Sequence, residues 1–121
     1  MYKLKLLLLA LVFLSACQKE DCENCPCNIE NPLEEVGWLK DMVATSAEGS
    51  TEPRQLQILQ FTYEGECVFW IDNCYNCADK MVLVYNYEKE EICRFGGIIG
   101  FNTCPDFLDI ATERKVLLED F

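Results

Sequence analysis

The sequence predicts a small α+β domain in which an N-terminal helix packs on an antiparallel β-meander of about four strands. Disulfides brace it, and a short helix or an extended stretch closes the chain. Three observations carry this expectation. Apolar side chains recur at helical spacing between Leu33 and Val43. From Gln55 to Phe95, four runs of β-branched and aromatic residues alternate with short polar turns. Nine cysteines in 121 residues point to covalent bracing of a core too small to be secure by burial alone.

Residues 1–16 stand outside that domain. Lys3 and Lys5 precede an apolar run ending at Leu14, and the small residues Ser15 and Ala16 then lead to Cys17, the pattern of an export signal. Leu4 to Leu14 is 11 residues, about half of the ~20 that a spanning helix requires. The quartet Leu14-Ser15-Ala16-Cys17 resembles a bacterial lipobox, which implies cleavage before Cys17, a lipid on its thiol and an acylated amine. Several acyl chains at ~0.8 kcal/mol per buried methylene anchor firmly without a spanning segment. Cleavage leaves 105 residues with 8 basic against 21 acidic side chains, a balance of −13. Residues 17–30 then read as a lipidated acidic tether, and residues 31–121 as the domain. Gln18-Lys19-Glu20-Asp21 resembles the lysine-plus-acidic signal of surface-exposed Gram-negative lipoproteins. The expected location is therefore the outer membrane, facing outward, with a periplasm-facing position as the alternative.

The helix is expected to start with Asn31 as N-cap and Pro32 in the first turn, where Glu34 and Glu35 suit the dipole, and to run to about Ala47. Leu33, Val36, Leu39 and Val43 form its apolar stripe, widened by Trp38 and Met42. Gly37 weakens the first turn, and Trp38 reads as a core residue. A loop follows to Pro53. Gln55 to Tyr63 and Cys67 to Asp72 read as a hairpin around Glu64-Gly65-Glu66, apolar on both faces. Met81 to Asn86 and Glu91 to Phe95 supply the third and fourth strands. Gly96, Gly97 and Gly100 mark tight turns around Ile98 and Ile99 that bring Cys104 to its partner. Phe107, Ile110, Ala111 and Arg114 with Leu117 or Leu118 suit an amphipathic helix, whereas Val116 to Leu118 also suits extended chain.

Composition excludes several functions. A formal charge of −11 repels polyanions, so nucleic acid is not an expected partner. No histidine is present, which removes the usual general base and the commonest zinc ligand. Glu64 with Glu66, and Glu90 with Glu91, are carboxylate pairs in turns, without the pocket that acid and base roles require. Asp72, Asn73, Asn76 and Asp79 offer oxygens without EF-hand spacing and read as turn formers. No sequence pattern places Tyr63, Tyr75, Tyr85, Tyr87 and Phe101 on one face.

With Cys17 set aside, Cys22, Cys25, Cys27, Cys67, Cys74, Cys77, Cys93 and Cys104 form an even set, as expected of disulfides in an exported domain. Cys74 and Cys77 are expected to bond Cys93 and Cys104 in some order, Cys67 to bond one N-terminal cysteine, and the other two N-terminal cysteines to bond each other. Cys22-Glu23-Asn24-Cys25 and Cys74-Tyr75-Asn76-Cys77 are also CxxC pairs. Two such pairs make a zinc pattern in a reducing compartment, but export favours oxidation. A redox CxxC needs a helix behind it to lower the thiol pKa, and the segment after Cys77 reads as a strand.

Taken together, Cys27 to Lys40, Gln60-Phe61-Thr62-Tyr63-Glu64-Gly65, Cys74 to Asp79, Glu91 to Gly97 and Cys104-Pro105-Asp106-Phe107 resemble a family of small cysteine-rich bacterial lipoproteins, a domain of unknown function. The resemblance spans roughly residues 27–121. It implies a shared disulfide-bearing fold and membrane anchoring, and it brings no catalytic residue. Gly37 stands where the resemblance leads one to expect proline. The function expected is a lipid-anchored, non-enzymatic binding or interaction domain with no cofactor and no metal. It would attach to the membrane through Cys17 and take an unidentified protein or small-molecule ligand. One alternative is an exported thiol-redox or soft-metal-binding protein using Cys74 and Cys77; another is an inhibitor of an external protease.

Overall fold

A computed structural model describes residues 27–46 and 54–120. The signal segment, Cys17, Cys22, Cys25 and the loop after Ser46 fall outside the described residues. In chain order the elements are α1 (Pro32–Glu35), α2 (Gly37–Ser46), β1 (Leu56–Tyr63), β2 (Glu66–Asp72), β3 (Met81–Asn86), β4 (Glu91–Gly96), β5 (Phe101–Asn102), α3 (Phe107–Ile110) and β6 (Thr112–Asp120). The strands form one antiparallel six-stranded sheet in the order β5-β4-β3-β2-β1-β6.

Local chemistry fixes the first hairpins. Glu64 and Gly65 both have positive φ, 50° and 77°, which is the two-residue turn whose twist matches the flanking strands. Tyr63 consequently pairs with Glu66, and the register runs on to Gln57 opposite Asp72. Between β3 and β4 the Asn86 side chain does the turning: its Oδ1 accepts the N–H groups of Glu88 and Glu90 at 3.0 and 2.9 Å. Lys89 takes the left-handed conformation that the turn requires.

The register sorts side chains onto two faces. On one face Leu59, Phe61, Tyr63, Val68, Val82, Val84 and Cys93 surround Phe107, with Trp70 and Phe95 packed against them. On the other, Leu56, Ile58, Phe69 and Ile71 cluster with Val36 and Leu39 from the N-terminal segment. Both faces of β1 are therefore buried, and its outer edge is paired by β6.

The fold is mostly β, which corrects the α+β expectation. The expected four strands are all present, but the sheet gains β5 and β6, and the stretch from Val116 to Leu118 is strand rather than helix. Helical structure before it is one turn, α3. The single helix expected over residues 31–47 is also corrected. Val36 is extended, with φ −89° and ψ 102°, and divides it into α1 and α2. The break falls just before Gly37, and Val36 is buried in one cluster with Ile58 and Phe69. The Asn31 side chain makes no cap; instead its backbone N–H donates to Glu35 Oε2 at 2.7 Å. The segment thus lends the sheet a few side chains rather than a full helical layer.

Disulfides tie the additions to the sheet. Cys27–Cys67 joins the N-terminal segment to β2, and Cys93–Cys104 joins the approach to α3 to β4. Cys74 and Cys77 bond each other, so the expected bridges from this loop to Cys93 and Cys104 do not form. Cys93 lies inside the sheet, opposite Val84, and its side chain meets the returning chain at Cys104 instead.

Candidate functional site

A concavity lies between α2 and the sheet. It has a volume of about 470 Å³, within the range of small-molecule sites. Leu56, Ile71, Leu83 and Tyr85 form its floor, Trp38 and Met42 its wall, and Asp41, Asn73 and Lys89 its polar margin. Strand alternation explains the floor: Ile71 pairs with Leu83 and Phe69 with Tyr85, so consecutive cross-strand pairs on one face are large and apolar.

Trp38 is half-buried and is held in three ways. Its ring meets Phe69 and Tyr85 edge-on at centroid distances of 5.7 and 5.6 Å. Its Nε1–H donates to the Tyr87 carbonyl at 2.7 Å. It is therefore both a packing residue, as its sequence position implied, and the rigid wall of a cleft. Burial, followed by the Glu91 carboxylate, raises the Tyr85 phenol above its ordinary pKa, against the opposing effect of Arg94. At neutral pH Tyr85 presents a neutral hydroxyl. The cleft thus offers apolar and aromatic surface with a few polar groups at its edge.

At the same end of the sheet, the loop from Asn73 to Lys80 carries the Cys74–Cys77 bridge. Asp72 is wholly buried at its root. Its Oδ1 accepts the Cys74 N–H at 3.1 Å, while Oδ2 faces Lys80 Nζ at 3.2 Å. Lys80 in turn lies 4.8 Å from the centre of the Tyr75 ring. Asp72 is the Asx turn former expected here, and its ion pair with the exposed Lys80 went unseen in the sequence. Among the described residues no group of three or more cysteine and carboxylate side chains is arranged to hold a metal ion.

The other candidates separate in space. Glu64, Glu66, Glu90 and Glu91 are exposed. Glu91 pairs with Arg94 at 2.7 Å. Tyr63 is buried against Phe107 on one face, Tyr85 lines the cleft on the other, and Tyr75, Tyr87 and Phe101 are exposed. Among the described residues, no helix is long and apolar enough to cross a membrane. Cys17, Cys22 and Cys25 lie outside the described residues.

The chain belongs to the DUF6970 family, a domain of unknown function, whose pattern matches residues 44–120. That span holds all six strands, the cleft floor and five of the six described cysteines, four of which bond each other, while Trp38 and Cys27 precede it. No curated protein and no solved structure matches the chain.

Proposed function

We propose that this protein is an exported, lipid-anchored binding domain that captures a small apolar or aromatic ligand in the cleft between α2 and the sheet. The cleft carries the reading: its apolar floor is rigid sheet, its wall is a tryptophan fixed by a hydrogen bond and two ring contacts, and its volume suits one small molecule. Bound there, a ligand would exchange water contact for Leu83, Ile71 and Met42, and Asp41 and Lys89 would select its polar end. The reading is non-enzymatic, supported by the absence of histidine from the sequence. Anchoring rests on the lipobox-like quartet ending in Cys17, and outer-membrane surface exposure on the acidic run after it, with a periplasm-facing position as the alternative.

Ligand capture is tested by titrating the oxidised protein with a neutral naphthylamine dye while following tryptophan fluorescence. Saturable binding at one site, lost in Leu83→Asp with far-UV circular dichroism preserved, supports the cleft. Binding that survives Leu83→Asp and Met42→Asp overturns it. Anchoring is tested separately by intact mass spectrometry of the protein extracted from its native membrane. An acylated chain beginning at Cys17 supports it, and an unmodified soluble protein overturns it.

A further inference from the structure

We propose that the Cys74–Cys77 disulfide is an exchange site that accepts two electrons from an external dithiol while the fold and the other two described bridges remain intact. This goes beyond ligand capture and does not depend on it.

The three bridges do different structural work. Cys27–Cys67 closes a sequence separation of 40 and Cys93–Cys104 one of 11, whereas Cys74–Cys77 closes only 3. The constraint a bridge places on the unfolded chain grows with the logarithm of the loop it closes, so this one contributes least. The loop is also held without it. Cys77 N–H donates to the Cys74 carbonyl at 2.9 Å, and Tyr75 N–H to the Gln55 carbonyl at 3.2 Å. Asn76 N–H reaches Gln55 Oε1 at 3.1 Å, and Cys74 N–H reaches Asp72. By linkage, a bridge whose loss costs the fold little is reduced under milder conditions than one whose loss unfolds it.

Access points the same way. Cys77 is exposed and Cys74 is half-buried, whereas Cys93 is almost wholly buried. The loop leads into β3 rather than into a helix, so no helix dipole lowers a thiol pKa here. The pair is therefore the acceptor, and the attacking thiolate comes from the partner. That thiolate attacks Cys77 Sγ, the bond to Cys74 Sγ breaks, and Cys74 leaves with the electron pair and takes a proton. Gln55 Oε1, 3.9 Å from Cys74 Sγ, accepts the hydrogen bond of the new thiol. The partner's second thiolate then attacks its own sulfur in the mixed disulfide and releases Cys77, which is protonated. The dithiol ends as a disulfide, its two protons and two electrons now on Cys74 and Cys77.

The test exposes the full chain to graded dithiothreitol, quenches with acid, alkylates and maps the labelled peptides. Cys74 and Cys77 are expected to label together at about tenfold less reductant than Cys27, Cys67, Cys93 or Cys104, with near-UV circular dichroism retained. In Cys74→Ser, the free Cys77 is expected to form a mixed disulfide with oxidised glutathione faster than Cys74 does in Cys77→Ser. Repeating the reduction with a protein dithiol, reduced thioredoxin, and with glutathione distinguishes a macromolecular from a small-molecule donor. Coincident labelling of all six cysteines overturns the proposal, as does loss of the near-UV signal when Cys74 and Cys77 are reduced.

Discussion

Arg54 grips Asp120 with two guanidinium nitrogens, Nε at 2.8 Å and Nη2 at 2.6 Å from Oδ2. Its third nitrogen, Nη1, donates to the Val43 carbonyl at 2.9 Å and to Ser46 Oγ at 3.2 Å. One side chain immediately before β1 thus joins the end of β6 to the last turn of α2, where a cation also suits the helix dipole. The spread of the guanidinium matters here, because the three N–H donors of a lysine ammonium radiate from a single nitrogen and do not span acceptors on both elements.

Arg54→Lys is accordingly expected to lose stability almost as Arg54→Ala does. The ion pair itself contributes modestly, about 0.5 kcal/mol, since the Asp120 side chain is 48% exposed. The larger part of an expected loss of about 1 to 2 kcal/mol comes from the hydrogen bonds of Nη1 to the Val43 carbonyl and Ser46 Oγ, although that carbonyl keeps the Ser46 hydroxyl as a donor at 2.8 Å. A double-mutant cycle with Asp120→Ala in urea checks this: a coupling energy near the whole Arg54→Ala effect would show that the helix contacts contribute nothing.

Phe107 is the keystone of one sheet face. It is fully buried and meets the rings of Phe61, Tyr63, Trp70 and Phe95 at centroid distances from 4.8 to 5.7 Å. Phe107→Ala is expected to cost about 3 to 5 kcal/mol, a large share of the ~5 to 15 kcal/mol typical of a domain. Leu108, next in sequence but 76% exposed, is expected to change stability by less than about 0.5 kcal/mol when replaced by alanine. Thermal unfolding of the two variants checks the contrast.

Gly96 is required by its conformation and by its neighbour. Its φ is 88°, and a Cβ there would lie 2.3 Å from the Lys80 carbonyl oxygen. Nothing flexible is available to move, since the obstacle is backbone beside the β3 pairing. Gly96→Ala is expected to destabilise by more than about 1 kcal/mol, and Gly100→Ala, with open space around it, by less. Equal losses in denaturant titrations would refute the steric account.

The strands were legible because each run of β-forming residues ends at or beside a residue that turns the chain: Gly65, Asp72, Asn86 and Gly97. The closing strand was less so, since Thr112 to Lys115 is polar and its extended form is imposed by the open edge of β1. The break at Val36 was signalled only by Gly37 beside it, because the apolar spacing from Leu33 to Val43 continues unbroken across it. Cys67 bonds an N-terminal cysteine, Cys27, as expected, but the pairing of Cys74 and Cys77 was missed. A CxxC disulfide is local, whereas the expectation distributed its cysteines among distant partners. The cleft brings Trp38 to Leu83 and Tyr85, residues more than forty positions apart, and nothing short of the sheet register relates them.

The Tyr63 hydroxyl links β1 to the α3 approach by donating to Asp106 Oδ1 at 3.1 Å. Burial foremost, then that hydrogen bond and the nearby negative charges of Asp106 and Glu64, raise its pKa. In the unfolded chain a tyrosine loses its proton near pH 10, while the folded protein still holds it. Above that pH the native state therefore binds more protons than the unfolded state, so stability falls as pH rises and continues to fall until the folded pKa is passed. Tyr85, raised by burial as well, adds to the same slope. Tyr63→Phe is expected to lower stability at neutral pH by about 1 kcal/mol, from the lost hydrogen bond, and to flatten the decline above pH 10. Urea midpoints measured across neutral and alkaline pH for the wild type, Tyr63→Phe and Tyr85→Phe check both effects. An unchanged alkaline slope in Tyr63→Phe would mean that its hydroxyl titrates alike in the folded and unfolded chain.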